Sequence, residues 1–162
     1  SAATAGDGWR GHVLVVDNDA AAVDVASRTL TNAGYSVRVT TKGPKALSIT
    51  RTEQFDCMLV GRDVPALSGV EVCRIVRQRE EGMQLANDGD APVPRLPIIV
   101  FTDRTTESDL REYMSVGMDG CVSKPVDATA LLNTVAAAVP KRPIWCVFCR
   151  VICLGIGRLG AD

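Results

Sequence analysis

The sequence has few aromatic residues, a single histidine and no long run of basic residues. Phe, Trp and Tyr together make up 4% of the chain, so aliphatic side chains must build most of a hydrophobic core. The formal net charge is −1, and Lys and Arg do not cluster along the chain as they do in proteins that bind nucleic acid. We therefore expect no nucleic-acid binding.

Long hydrophobic runs are also missing. The longest apolar stretch, near Ile144–Ile156, is shorter than the roughly 20 residues that a transmembrane helix needs, and it contains Arg150. No signal-peptide pattern is present, and the chain starts at Ser1, so we expect a processed protein or a piece of a longer one. With 46% apolar and 23% charged residues, the composition is typical of one soluble globular domain with a tail.

Six cysteines are present, but the positions of the first three do not favour a disulfide framework. Cys57 lies in an apolar strand-like run, Cys73 in a helical pattern, and Cys121 shortly before a Lys-Pro pair. Such positions are typical of small apolar packing residues. We expect an intracellular protein of a reducing compartment.

Strand and helix patterns alternate along the chain. Short apolar or alternating runs predict strands at His12–Val16, Tyr35–Thr40, Asp56–Val60, Leu96–Thr102 and Gly120–Ser123. Amphipathic patterns predict helices at Ala20–Ala33, Pro44–Glu53, Gly69–Arg79, Thr106–Val116 and Asp127–Val139, with Asp19 and Asp127 as caps. The polar stretch Glu81–Arg95 predicts a long loop. This order predicts a doubly wound α/β fold, in which helices cover both faces of a five-stranded parallel sheet.

Two segments flank this domain, which we place at residues 12–139. Residues 1–11 are small and Gly-rich, and we expect them to be flexible. Residues 140–162 form an apolar tail that begins with Pro140 and Pro143, which should stop the last helix. The tail could also be foreign to the domain.

The tail is too apolar for a solvated disordered segment. Cys146, Cys149 and Cys153 would share one face of a helix, and we expect them, with Trp145 and Phe148, to contact the domain or a partner. Attachment of a metal, a cluster or a lipid is the alternative. The cysteine spacing lacks a nearby fourth metal ligand, because the only histidine is His12.

Functional residues of a parallel α/β sheet lie at the carboxyl ends of its strands. At the predicted strand ends stand Asp17-Asn18-Asp19, then Gly61 with Pro65 and Gly69, then Thr102, and finally Lys124-Pro125. From His12 to Val139, this pattern resembles the receiver domain of two-component response regulators, a (βα)5 fold of the flavodoxin-like type. The resemblance implies that a histidine kinase phosphorylates an aspartate at the end of strand three. It further implies that an acidic pair after strand one holds Mg²⁺, that the Thr and the Lys contact the phosphoryl group, and that an aromatic on strand five reports the change.

The phosphoacceptor position of the resemblance is occupied by glycine. In the family that the chain resembles, the phosphoacceptor aspartate stands four residues before a proline and eight before a glycine. Counting back four residues from Pro65, or eight from Gly69, leads to Gly61 in both cases. Glycine has no carboxylate, so no acyl phosphate can form there. The resemblance therefore implies a degenerate receiver, a pseudo-receiver that lacks its phosphoacceptor.

Three other positions depart from the family pattern. Asn18 stands at the second acidic position and is a poorer ligand for a hard cation than a carboxylate. Asp103, which follows Thr102, would repel phosphate. The aromatic switch position, three residues before Lys124, is Cys121, which is too small for the same rotamer change.

The residues that remain are Asp17, Thr102 and Lys124. A partly desolvated lysine without a counter-charge costs several kcal/mol or loses its proton. We therefore expect Lys124 to form a salt bridge with Asp17 or Asp103, and we favour Asp17. Thr102 would bond to nearby backbone. The resemblance also suggests a cis Lys124–Pro125 bond.

We predict a non-enzymatic module of two-component signalling that binds proteins and needs no cofactor. The expected partner is a histidine kinase, a phosphotransfer protein or a larger assembly. One alternative is an active receiver that accepts phosphate at Asp63, with Mg²⁺ held weakly by Asp17 and Asn18. Another is a small-ligand binder at the vacated strand-end pocket. Nucleotide binding has little support, since no G-x-x-x-x-G-K loop is present.

Overall fold

Strands and helices alternate throughout the computed structural model, which describes residues 10–87 and 92–139. The strands are β1 (Gly11–Val16), β2 (Tyr35–Thr40), β3 (Cys57–Gly61), β4 (Ile98–Thr102) and β5 (Gly120–Ser123). The helices are α1 (Ala20–Asn32), α2 (Gly43–Thr52), α3 (Gly69–Ala86), α4 (Glu107–Ser115) and α5 (Ala128–Ala138).

The five strands form one parallel sheet in the order β2-β1-β3-β4-β5. From β1 the chain crosses to β2 on one side and then to β3 on the other. The crevice of a doubly wound fold lies where the strand order reverses in this way, at the carboxyl ends of the strands. The fold predicted from the sequence is confirmed.

Each face of the sheet carries its own apolar core, because successive side chains of a strand point to opposite faces. On one face Leu14, Met58 and Val100 contact residues of α2, α3 and α4. On the other face Leu59 and Phe101 contact residues of α1 and α5. Aliphatic side chains predominate in both cores, as the low aromatic content predicts.

The first three cysteines are free thiols, and Cys57 and Cys73 are buried in the two cores. Burial raises the pKa of the Cys57 thiol to about 12. These two residues therefore fill space as small apolar side chains, as predicted.

The prediction that residues 81–95 form a loop was wrong for its first part. Helix α3 continues past Arg79 to Ala86. The side chains of Glu80 and Gln84 accept hydrogen bonds from the backbone N–H groups of Leu96 (2.8 Å) and Val93 (2.9 Å). The polar residues of this helix end are thus bound to the returning chain, and their lack of apolar periodicity is why the pattern predicted a loop. The other element boundaries agree with prediction to within two residues, and those of β2 and β5 match it at both ends.

Side-chain caps fix the starts of all described helices except α2, which has a proline in its first turn instead. Asp19 and Asp127 cap α1 and α5, as predicted. Reciprocal capping boxes at the starts of α3 and α4, formed by Ser68 with Glu71 and by Thr106 with Asp109, were not predicted.

Two predicted segments lie outside the described residues: most of residues 1–11, and all of the tail at 140–162 with Trp145, Cys146, Phe148, Cys149 and Cys153. Predictions about them stay predictions. Among the helices that the structure describes, none combines the length and the apolar character that a membrane span requires.

Two glycines of α3 should respond oppositely to alanine. A Cβ at Gly69 would lie 2.3 Å from the carbonyl O of Gly61, whereas a Cβ at Gly82 would meet nothing within 4 Å. We expect Gly69→Ala to lower the free energy of unfolding by about 2 kcal/mol or more, because backbone must move. Gly82→Ala should raise it by roughly 0.4–1 kcal/mol. Urea unfolding checks both, and equal stability of the two variants would contradict the close approach of α3 to β3.

Candidate functional site

Four residues meet at the carboxyl edge of the sheet. Asp17 follows β1, Gly61 ends β3, Thr102 ends β4 and Lys124 follows β5. The side chain of Asp17 lies beside the Cα of Gly61, and the backbone N–H of Lys124 donates to the carbonyl of Thr102 at 2.9 Å. The parallel register brings together residues that are far apart in the sequence, as predicted.

The centre of this site is a salt bridge. The Nζ atom of Lys124 lies 2.6 Å from Oδ2 of Asp17, which confirms the favoured pairing. Asp17 is only 3% exposed, and the Lys124 side chain is 19% exposed. The ammonium also lies 4.8 Å from the ring centroid of Phe101, a favourable cation–π distance. The ammonium and the carboxylate therefore neutralise each other where water solvates both poorly.

Asp19 is a second partner of Lys124 that the sequence interpretation missed. Its Oδ2 lies 3.4 Å from Nζ, while its Oδ1 accepts a hydrogen bond from the backbone N–H of Ala22. The Ala22 hydrogen bond lowers the pKa of Asp19, and the charge of Lys124 lowers it further. The backbone N–H of Asp19 in turn donates to Oδ1 of Asp17 at 3.0 Å. Asp19 therefore contacts the strand-end site as well as capping α1.

Glycine at position 61 is explained by Asp17. A Cβ built on Gly61 would lie 2.7 Å from Oδ2 and 2.8 Å from Cγ of Asp17, distances that real Cβ atoms do not adopt. Gly61 is not among the glycines with positive φ, so its backbone conformation does not by itself require glycine. The carboxylate of Asp17 fills the space in which a side chain at position 61 would begin.

The other predicted site residues are not drawn into this cluster. Asn18, Asp63 and Asp103 are exposed. The Thr102 hydroxyl accepts a hydrogen bond from the backbone N–H of Arg104 at 3.0 Å, which is the local structural role that we predicted for it. Cys121 is half-buried against the core, and its burial raises the pKa of the thiol.

The residues present do not fit a Mg²⁺ ion. Of the acidic pair implied by the resemblance, Asp17 uses one oxygen for Lys124 and the other for the N–H of Asp19, and Asn18 is neutral. Within residues 10–87 and 92–139, His, Cys, Asp and Glu side chains do not gather in any group of three that could hold a metal. A hard cation prefers several carboxylate oxygens that are free to bind it.

A second polar cluster next to the site was not predicted. Nη1 of Arg62 donates to the Tyr113 hydroxyl at 2.9 Å and lies 3.2 Å from carboxylate oxygens of both Asp109 and Glu112. The Tyr113 hydroxyl donates to the carbonyl of Arg104 at 3.0 Å. The sequence signal for this cluster is weak, because its partners are about fifty residues from Arg62 along the chain.

Comparison with known proteins identifies the family. A family model described as "Response regulator receiver domain" matches residues 13–136. The chain is 33% identical over 129 residues to the response regulator MprA of Mycolicibacterium vanbaalenii, an alignment that covers 80% of this chain and 50% of MprA. The chain thus spans about half the length of this relative.

Solved structures are similar as well. The chemotaxis response regulator CheY4 of Vibrio cholerae matches with a TM-score of 0.67 and 26% identity, over 79% of this chain and 98% of CheY4. The receiver domain of Ssk1 from Saccharomyces cerevisiae, crystallised with the histidine phosphotransfer protein Ypd1, matches with a TM-score of 0.70 and 20% identity, over 80% of this chain and 89% of that one. At that identity the second similarity shows the fold alone.

The salt bridge between Asp17 and Lys124 should contribute to stability. Lys124→Met leaves the Asp17 carboxylate buried without a strong counter-charge, and we expect a loss of about 3 kcal/mol in the free energy of unfolding. Asp17→Asn combined with Lys124→Met should recover much of this loss. The control is Arg28→Met, which breaks an exposed pair with Asp24 and should cost less than about 1 kcal/mol. Equal losses in Lys124→Met and Arg28→Met would contradict the assignment.

Acid should remove the contribution that the Asp19 charge makes to the free energy of unfolding. Because the pKa of Asp19 is lowered in the folded state, its charge stabilises the fold above the unfolded pKa of about 4 and stops doing so as pH falls through the folded value. Asp19→Asn keeps the cap but not the charge. The stability difference between the wild type and Asp19→Asn should therefore be constant near neutral pH and shrink in acid. Urea unfolding over a pH series measures it, with Asp24→Asn on the same helix as control. A difference that grows in acid would contradict this prediction.

Proposed function

The chain belongs to the response regulator receiver domain family, and on that basis we propose that it is a receiver that accepts no phosphoryl group and acts by binding a protein partner. Two-component signalling is the context of the family. The observation that carries the proposal is the position of Asp17, whose carboxylate fills the space beside Gly61 and neutralises Lys124.

Loss of phosphate acceptance is supported by three features that act independently. First, no carboxylate can be phosphorylated at Gly61. Second, Lys124, whose ammonium would contact a phosphoryl group, is already paired with Asp17. Third, the negative charge of the exposed Asp103, which directly follows Thr102, would repel phosphate. A module of this kind has no catalytic step and requires no cofactor.

The alternatives receive less support from the geometry. Phosphorylation at Asp63 would place the phosphate on an exposed loop residue. The metal site that it requires would have to be built from Asn18 and from Asp17, whose oxygens already contact the ammonium of Lys124 and the N–H of Asp19. A small ligand at the strand ends would meet the same salt bridge between Asp17 and Lys124. No specific observation favours either function.

The partner class follows from the family. The Ssk1 receiver domain was crystallised with the phosphotransfer protein Ypd1. For this chain we propose a histidine kinase, a phosphotransfer protein or a larger signalling assembly. A receiver that cannot be phosphorylated would bind such a partner by surface contacts alone and would not pass on phosphate.

Phosphate uptake tests the proposal directly. The full chain, incubated with acetyl phosphate and Mg²⁺, should show no added phosphate by intact mass, while a receiver that retains its strand-three aspartate should be modified in parallel. Any adduct would be mapped by peptide analysis to Asp17, Asp63 or Asp103. A stoichiometric adduct on Asp63 would overturn the proposal in favour of an active receiver.

Restoring the acceptor alone should not restore uptake. In Gly61→Asp the new Cβ must displace Asp17, Asn18 still weakens the metal site, and Asp103 still repels phosphate. We expect a measurable adduct only when Asn18→Asp and Asp103→Ala are added to Gly61→Asp. Robust phosphorylation of Gly61→Asp by itself would show that the pocket has lost less than we propose.

A further inference from the structure

Arg62, the residue directly after Gly61, connects the end of β3 to helix α4. Its Nη1 donates to the hydroxyl of Tyr113 at 2.9 Å and lies 3.2 Å from Oδ1 of Asp109 and from Oε2 of Glu112. Its guanidinium carbon also lies 5.5 Å from the centroid of the Tyr113 ring. All three partners belong to α4, so a single side chain binds this helix through two carboxylates, a hydroxyl and a ring.

Three of the four members of this cluster are shielded from water, and the fourth, Glu112, is 46% exposed. The side chain of Arg62 is 19% exposed, and Tyr113 is 2% exposed. Charge-assisted hydrogen bonds are stronger in such surroundings than on an open surface, because fewer water molecules compete for the same groups. The link therefore differs from the exposed pair between Arg111 and Glu107 on the same helix.

The link extends into the loop between β4 and α4. The Tyr113 hydroxyl donates to the carbonyl of Arg104 in that loop. The second carboxylate oxygen of Asp109 accepts hydrogen bonds from the hydroxyl and backbone N–H of Thr106, which caps α4. Arg62 thus contacts two residues that also fix the loop and the helix start.

We propose that Arg62 is a permanent clamp that holds α4 and the β4–α4 loop in one arrangement relative to the strand-end site. The inference rests on the proposed function, since a clamp of this kind suits a domain that does not switch with phosphorylation. The outer face of α4, with exposed Leu110 and Met114, is then presented in a constant position.

An arginine suits this position better than a lysine. Its planar guanidinium can bind several acceptors and stack on a ring at once, while a lysine ammonium is a compact point charge. Arg62→Lys should therefore restore only part of the clamp, even though it keeps the charge.

Amide hydrogen exchange of the full chain tests the clamp. In Arg62→Ala, amides of residues 103–115 should exchange about tenfold faster than in the wild type, which corresponds to about 1.4 kcal/mol. Arg62→Lys and Tyr113→Phe should give smaller increases in the same residues. The matched control is Arg111→Ala, which removes an arginine of α4 whose pair with Glu107 is exposed, and it should change exchange little.

Each result decides the inference. Exchange in Arg62→Ala no faster than in Arg111→Ala would refute the clamp. If Arg62→Ala exchanges faster throughout the sheet, Tyr113→Phe decides, because it keeps the buried ring and loses only the hydroxyl. In that variant, faster exchange confined to residues 103–115 supports the clamp, and unchanged exchange there refutes it.

Failure of the clamp is distinguishable from failure of the proposed function, because phosphate uptake is measured by mass. Uptake by the wild type together with loosening in Arg62→Ala would overturn the proposed function and leave the clamp standing. No uptake together with unchanged exchange would do the reverse.

Discussion

The salt bridge between Asp17 and Lys124 is the interaction on which the strand-end site depends. A carboxylate that is only 3% exposed requires a counter-charge, and Lys124 provides it across the sheet at 2.6 Å. The bridge in its present geometry excludes a side chain at position 61, because a Cβ there would lie 2.7 Å from Oδ2 of Asp17 and the carboxylate would have to move. The three residues therefore act as one unit, and changing one of them alters the energetic cost of keeping the other two.

Adjacent residues at the end of β3 have opposite roles. Gly61 contributes no side chain and leaves space for Asp17, while Arg62 extends to α4 and binds Tyr113 and two carboxylates. Contacts within the chain thus pair the charged groups of the strand-end site and those of the adjoining helix α4. In our proposal this is how the domain keeps a single arrangement without a phosphoryl group, a metal or a switch aromatic at Cys121.

The sequence predicted the sheet and the strand-end residues because both depend on local patterns. Apolar runs and cap residues can be recognised in the linear sequence, and Gly61 is located by its spacing from Pro65 and Gly69. The pairing of Lys124 with Asp17 was also predictable, since burying an unpaired charge is costly. Three features were not predictable: the extension of α3, the second contact of Lys124 with Asp19, and the Arg62 cluster. They depend on contacts between side chains or backbone groups that only the tertiary structure brings together.

The presence of Asp17, Thr102 and Lys124 is therefore weak evidence for phosphate chemistry in this chain. Each of them has a structural task that would keep it in place without any activity. Losing Lys124 would leave a buried carboxylate without its main counter-charge, and losing Asp17 would leave a half-buried ammonium with only Asp19, at 3.4 Å. Thr102 satisfies a backbone N–H at the end of β4. Stability alone can thus preserve the outline of a receiver site after its acceptor is gone, and the informative positions are those where stability makes no such demand, namely the exposed Asn18 and Asp103.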